Sequence, residues 1–164
     1  MKSSRLFYFT VVSVFIAGAA KVFSQSTVSV SKNALVESSK FNGSPVVVTE
    51  FRGNSPDSLK KFSVLEFADG RILREKQFGD DGSEKTSVER KFLDDGRISE
   101  ISGIDSSKNV KWRYSYGYSE KGLLATETSY SGSGEVEWRA EYSYNAKSKV
   151  SECRTYSAAG TLNF

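Results

Sequence analysis

Apolar residues recur in this chain every 26 positions. Ile72, Ile98, Leu124 and Val150 form one column, and Phe78, Ile104, Tyr130 and Tyr156 form a second. Val110, Val136 and Leu162 continue the pattern, followed by Trp112, Trp138 and Phe164, then by Phe92, Tyr118 and Tyr144. Glycines keep the same spacing, as Gly70, Gly96 and Gly122 and again as Gly82, Gly134 and Gly160. A period of this length is the signature of a repeat architecture, in which each unit is one supersecondary element.

Inside each unit the period is two. From Val110 to Tyr118 the even positions read Val, Trp, Tyr, Tyr, Tyr, against Lys111, Arg113, Ser115 and Gly117. From Val136 to Tyr144 the even positions are Val, Trp, Ala, Tyr, Tyr, against Glu137, Arg139, Glu141 and Ser143. Strict alternation of this kind marks a half-buried β-strand. Because the period is even, each copy presents the same parity, and the apolar columns are expected on one face of a sheet.

Shorter strands are expected near 72–78, 98–104, 124–130 and 150–156. Between long and short strands stand Gly79-Asp80-Asp81-Gly82-Ser83, Asp94-Asp95-Gly96, Ser131-Gly132-Ser133-Gly134 and Ala158-Ala159-Gly160. Glycine supplies positive φ at no steric cost, and Asp or Ser bonds to nearby backbone, so each reads as a hairpin turn. Short connections make neighbouring strands antiparallel. The expected fold is all-β, an antiparallel meander of about eight to ten strands in a single twisted or curled sheet. The hairpin domain covers 59–164, preceded by a segment at 25–58 in which Pro45 to Phe51 reads as a worn strand and Gly53 to Asp57 as a turn.

Residues 1–24 read differently. Lys2 and Arg5 precede Leu6 to Ala20, a run of fifteen residues without a charge. That run would span about 22 Å as a helix, short of the roughly 30 Å hydrocarbon core, and this reads as a secretory signal peptide. Cleavage after Ala19, Ala20 or Ser24 fits small-residue preference, with Ser24 favoured. An uncleaved anchor is the alternative, because Lys21 and Phe23 disturb the cleavage region. No cysteine lies near the cut, which argues against a lipoprotein anchor. The chain carries 23 Lys plus Arg against 20 Asp plus Glu. Removing Lys2, Arg5 and Lys21 leaves a formally neutral remainder, so the electrostatic argument for a nucleic-acid partner disappears.

Tyr116-Gly-Tyr118-Ser-Glu-Lys-Gly122-Leu-Leu124 and its echo Tyr142-Ser-Tyr144-Asn-Ala-Lys-Ser148-Lys-Val150 resemble the YD (Rhs-type) repeat, whose core runs Tyr-x-Tyr-Asp-x-x-Gly-Arg-Leu. Arg90-Lys-Phe92-Leu-Asp-Asp-Gly96-Arg97-Ile98 matches its second half. The resemblance covers 62–164 and departs at Leu93, Ser119 and Asn145, which stand where the motif has Asp, and at Ser148, which stands where it has Gly. The grammar is also similar to MORN-type hairpin repeats. These families imply an extracytoplasmic or surface β-repeat protein and no catalytic residue.

Composition narrows the chemistry. The chain contains no His and one Cys. Imidazole is the side chain that exchanges protons near neutral pH, so Ser-His and Cys-His pairs and His-ligated metals are excluded. A single cysteine excludes an internal disulfide and a multi-Cys metal site. Cys153 is at an odd position in its strand and is expected on the mostly polar face, as an inert small residue. Asp80-Asp81 and Asp94-Asp95 are expected to be turn structure rather than calcium ligands, because no nearby cluster supplies six to eight oxygens. Glu127, Glu137, Glu141 and Glu152 alternate with bases and read as cross-strand charge pairs on a solvated face.

The candidate site is the aromatic row Trp112, Tyr114, Tyr116, Tyr118, Trp138, Tyr142 and Tyr144. Each ring can bury about 150–250 Å², too much to stand bare on a soluble monomer. Either the row is core, covered by the curling sheet or by 25–58, or it is a platform for an envelope protein, a peptide or a glycan. The expectation is an exported, non-enzymatic protein of the bacterial periplasm or cell surface, without cofactor or metal. A small outer-membrane barrel is the alternative, opposed by Arg74, Lys76, Glu100, Glu152 and Arg154 at apolar parity, because a charge on a lipid face costs about 2–4 kcal/mol near the midplane. A hydrolase working with carboxylates alone is a further alternative.

Overall fold

The computed structural model of the chain describes residues 9–16, 45–53 and 55–163. It is all-β. The strands are β1 (Phe9–Ile16), β2 (Pro45–Gly53), β3 (Lys60–Ala68), β4 (Arg71–Phe78), β5 (Glu84–Phe92), β6 (Ile98–Asp105), β7 (Val110–Tyr118), β8 (Leu124–Ser131), β9 (Val136–Tyr144) and β10 (Val150–Ser157). The only helical element among the described residues is one 3-10 turn, Pro56–Ser58, capped by Ser55 where the sequence predicts a turn. The expected strand at Pro45 to Phe51 is β2, and the long strands β7 and β9 have the bounds the alternation predicts.

The chain divides into two compact units, Met1–Ser87 and Val88–Phe164, with the division inside β5. In each unit the strands are antiparallel and lie side by side in chain order, β1 to β4 in the first and β6 to β10 in the second. The middle of the charge-free run near the N-terminus is β1, paired along its length with β2. The cleavage positions proposed for an export signal lie outside the described residues.

Seven turns share one geometry. The first residue donates its N–H to the carbonyl four residues on and accepts the N–H three residues on, beginning at Gly79, Leu93, Asp105, Ser119, Ser131, Asn145 and Ser157. These starts alternate by 14 and 12 residues, which together make the 26-residue period. The fourth residue always has positive φ, so five of the seven are glycine, but Lys108 (φ 67°) and Ser148 (φ 56°) hold the other two places. Side-chain acceptors close the turns. Asn145 takes the N–H of Lys147 at 2.9 Å, and Asp105 takes those of Ser107 and Asn109 at 2.9 Å each. These are Asx turns, which is why Asp, Asn and Ser begin so many of the connections.

The expectation that all apolar columns share one face is overturned by β-bulges. Tyr118 pairs with Leu124 but Gly117 pairs with Thr126, so Ala125 is an extra residue. Likewise Val150 pairs with Tyr144 but Glu152 with Ser143, leaving Ser151 over. An extra residue reverses the parity of everything beyond it. Leu124 and Val150 therefore stay with the aromatic row, while Tyr130 and Tyr156 pair with Arg113 and Arg139 on the opposite face. The same reversal corrects Cys153. It pairs with Tyr142 and so lies on the aromatic face, where it is exposed.

Few side chains are fully enclosed. Val48, Phe67 and Ala140 are the buried apolar residues among those described, joined by Ser63, Ser87, Ser102 and Ser129. Small residues are buried because large neighbours lean over them. Stabilisation in such a sheet comes from cross-strand side-chain pairs, each contributing about 0.2–1 kcal/mol, rather than from an interior.

Candidate binding face

All seven aromatic residues proposed from sequence stand on one side of β7 and β9, with β8 between them. Tyr114 and Trp138 both pair with Ser129. Tyr116 pairs with Glu127, which pairs in turn with Ala140. Three of the rings, Trp112, Tyr114 and Trp138, are in contact. Trp112 and Tyr114 have centroids 5.5 Å apart at 54°, and Tyr114 and Trp138 are 5.9 Å apart at 52°. Tilted contacts of this kind suit the ring quadrupoles. Each of the seven is half-buried, held by its neighbours yet not sealed.

Small residues make room for the row. The indole of Trp112 lies against Gly103, its pair on β6, and a Cβ there would collide with the ring. Ser129, only 1% exposed between Tyr114 and Trp138, donates its hydroxyl to Glu137 at 2.8 Å. Two of the seven are tied down at the end of the hairpins. The hydroxyl of Tyr118 donates to the Ile98 carbonyl and that of Tyr144 to the Leu124 carbonyl, each at 2.8 Å, images of one another across one repeat.

Of the remaining five, Tyr116 and Tyr142 adjoin a carboxylate that sequence reasoning set on a solvated face, while Trp112, Tyr114 and Trp138 lie further along the row. Glu127 accepts the Tyr142 hydroxyl at 3.1 Å. Burial, then the hydrogen bond to Glu127, pushes the Tyr142 phenol up to about 12. Burial, with the charge of Glu127 second, raises Tyr116 as well. Glu127 was missed because the alternation of acids and bases on a strand does not report which face an acid shares once a bulge intervenes.

The opposite face carries Arg113 and Arg139, each engaged by a ring and a carboxylate. Arg113 lies 3.8 Å from the Tyr130 ring centroid and 3.1 Å from the Glu100 carboxylate. Arg139 lies 5.1 Å from the Tyr156 ring and 2.8 Å from Glu141. Hydrogen bonding from Lys91 is the largest cause holding Glu100 below the usual carboxylate range, with Arg113 adding to it. In the first unit Lys61 stacks on Phe78 at 4.2 Å, with the same 17-residue separation as the two Arg-Tyr pairs.

The other chemical candidates are structural. Asp81 accepts the Ser83 hydroxyl at 2.7 Å and its N–H at 3.1 Å, which with Lys85 holds its carboxyl down to about 2. Asp95 closes its turn by accepting from Arg97. Among the described residues no group of three or more Cys, Asp or Glu is placed to hold a metal ion. No helix among them is long and apolar enough to cross a membrane.

Fold and face together define an antiparallel hairpin-repeat protein with one aromatic and one charged surface in its second unit. No family model and no curated protein matches the chain. Among solved structures it is similar to a variant of TarM from S. aureus, crystallised with fondaparinux, α-GlcNAc-glycerol and UDP, at 13% identity and a TM-score of 0.30. That match covers 70% of this chain and 20% of the other, and at such a score it leaves fold and function untouched.

Proposed function

We propose that this chain is an exported, non-enzymatic β-repeat protein of the bacterial envelope, and that its aromatic face binds a protein, peptide or glycan. The observation that carries the reading is the half-burial of seven aromatic side chains in register on one face of β7 and β9. A row that existed only to fill an interior would be enclosed. This one keeps its rings partly open, beside polar groups that can orient a ligand. The YD-type grammar and the basic, then charge-free N-terminus support the location. The absence of His and the use of Asp81 and Asp95 as turn acceptors support a binding role over carboxylate hydrolysis.

The outer-membrane barrel is the second reading, and one observation favours it. Glu100, Glu152 and Arg154 pair with Ser115, Ser143 and Glu141, opposite the aromatic face, so these charges would not meet lipid. Glu127, in the middle of β8 on the aromatic face, opposes it, because a carboxylate facing hydrocarbon is costly. Release by osmotic shock without detergent is the expected result, and retention in the outer membrane would favour the barrel.

Replacing Trp112 and Trp138 together with Ala tests the face. Retained folding by circular dichroism with lost capture of a partner from native envelope is the expected outcome. Collapse of the fold would make the row core.

A further inference from the structure

The charged side of the second unit repeats one arrangement: a basic side chain held between the face of a tyrosine on the next strand and a glutamate, which stands on the strand before for Arg113 and two residues along the same strand for Arg139. Arg113 is held between Tyr130 and Glu100, and Arg139 between Tyr156 and Glu141. Such a trio is stable because the ring quadrupole and the carboxylate attract the same cation from two directions.

The aromatic side holds two of the three parts. Tyr116 pairs directly with Glu127, and Tyr142 reaches the same carboxylate from the diagonal position on β9. The third part is missing. The partner of Glu127 among the described residues is the Tyr142 hydroxyl, and it makes no ion pair with any of them. The arginines of these strands are all on the other face, since Arg113, Arg139 and Arg154 pair with Tyr130, Thr128 and Glu141. Arg97 lies over the Tyr118 ring at 4.4 Å, where Asp95 holds it, but the residues paired with or beside Tyr116, Glu127 and Tyr142 include no Lys or Arg.

We infer that Tyr116, Tyr142 and Glu127 receive a basic side chain from an extended partner polypeptide, supplying the cation that the chain supplies to itself on its other face. The inference rests on the binding reading of the aromatic face and names its occupant. The complementarity is of charge and of shape. The head group of a Lys or Arg is drawn to the carboxylate and the ring faces. Its apolar stem has Trp138 and Tyr114 to lie against, as long basic side chains do on apolar surface. A small quaternary ammonium would use the rings around Glu127 and leave the rest of the row idle, which is why a polypeptide is the better fit.

The test uses the full chain and reads its tryptophan fluorescence. The probes are two acetylated octapeptides, one alternating Lys and Thr and the other alternating Gln and Thr, with choline chloride as a third ligand. At low ionic strength the Lys peptide is expected to bind about tenfold more tightly than the Gln peptide, with the difference shrinking in salt. Glu127→Gln keeps the hydrogen bond from Tyr142 and is expected to bring the two peptides within about twofold of each other. Tyr116→Leu, which keeps the carboxylate and removes the ring, is expected to weaken the Lys peptide more than the Gln peptide; should that variant fail to fold, Glu127→Gln alone decides. Equal binding of the two peptides to the unaltered chain, or a preference that survives Glu127→Gln, overturns the inference while leaving the face a binding surface. Choline binding as tightly as the Lys peptide overturns the choice of a polypeptide. If neither peptide binds and Trp112→Ala with Trp138→Ala unfolds the chain, the row is core and both readings fall.

Discussion

Tyr142 donates its hydroxyl to Glu127 at 3.1 Å across β8 and β9, so that an acid on the aromatic face has beside it a phenol that resists ionisation. The phenol is pushed from an ordinary value of 10.0 up to about 12 by burial first and by Glu127 second. A folded-state pKa above the unfolded one means that the unfolded chain loses this proton first. The contribution to stability is full below about pH 10 and is lost as pH rises toward 12. Ultraviolet titration of tyrosinate should show Tyr142 ionising well above the ordinary phenol value of 10.0, and Glu127→Gln should bring its midpoint down. A Tyr142 midpoint unmoved by Glu127→Gln would contradict the assignment.

Tyr118 and Tyr144 make the same bond one repeat apart, each hydroxyl donating to a backbone carbonyl at 2.8 Å. Replacement by Phe keeps the ring and removes the donor. Each change should cost about 1 kcal/mol in urea unfolding, the usual net worth of one such bond. The two bonds use different carbonyls, so the double variant should lose nearly the sum. A cost well below this at Tyr144 alone would mean that the last hairpin is already frayed in the native state.

How much of this was legible without a structure depends on which signal each feature left in the sequence. The strands and turns were, because alternation and the Asp, Ser and Gly of the connections are local. The bounds of β7 and β9 followed from the alternation alone. Cys153 and Tyr130 were assigned to the wrong faces, since Ala125 and Ser151 look like ordinary strand residues and nothing local marks an extra residue in the register. Glu127 was hidden for the same reason. The partnership of Lys61 with Phe78 and of Arg113 with Tyr130 could have been found, because a base and an aromatic recur at a separation of 17 residues. Columns of apolar residues drew attention to the period; the basic residues carry it too.

Arg113 bridges two partners and is expected to be the most costly surface residue of the second unit to truncate. Its guanidinium stacks on Tyr130 at 3.8 Å and pairs with Glu100 at 3.1 Å, where Lys91 also binds at 2.8 Å. Arg113→Ala should destabilise by about 1–2 kcal/mol, from lost stacking and lost packing of the stem. Arg113→Lys should recover only part of it, because an ammonium cannot stack as a plane. The carboxylate of Glu100 is lowered by Lys91 first and Arg113 second, so its contribution is present above the ordinary carboxylate value of 4.5 and lost as pH falls below it. In Arg113→Ala the acid-side loss of stability should therefore shrink but not vanish. A complete loss of that pH dependence would show that Lys91 contributes nothing.

Two turns carry side chains where their five counterparts carry glycine. Lys108 has φ 67° and Ser148 has φ 56°, in the left-handed region where a Cβ crowds the following carbonyl. Ser148→Gly and Lys108→Gly should each stabilise the chain by up to about 1 kcal/mol, the strain relieved less the added freedom of the unfolded glycine. The reverse change, Gly134→Ala at φ 89°, should destabilise by about 1 kcal/mol or more although nothing lies within 4 Å of the added methyl group. Because the added group touches nothing, the comparison isolates backbone strain from packing. Thermal or urea unfolding of the three variants measures it. If Ser148→Gly proves destabilising, then the seryl side chain contributes more to its turn than the strain takes away, and the glycine columns of the repeat are set by folding rather than by native stability.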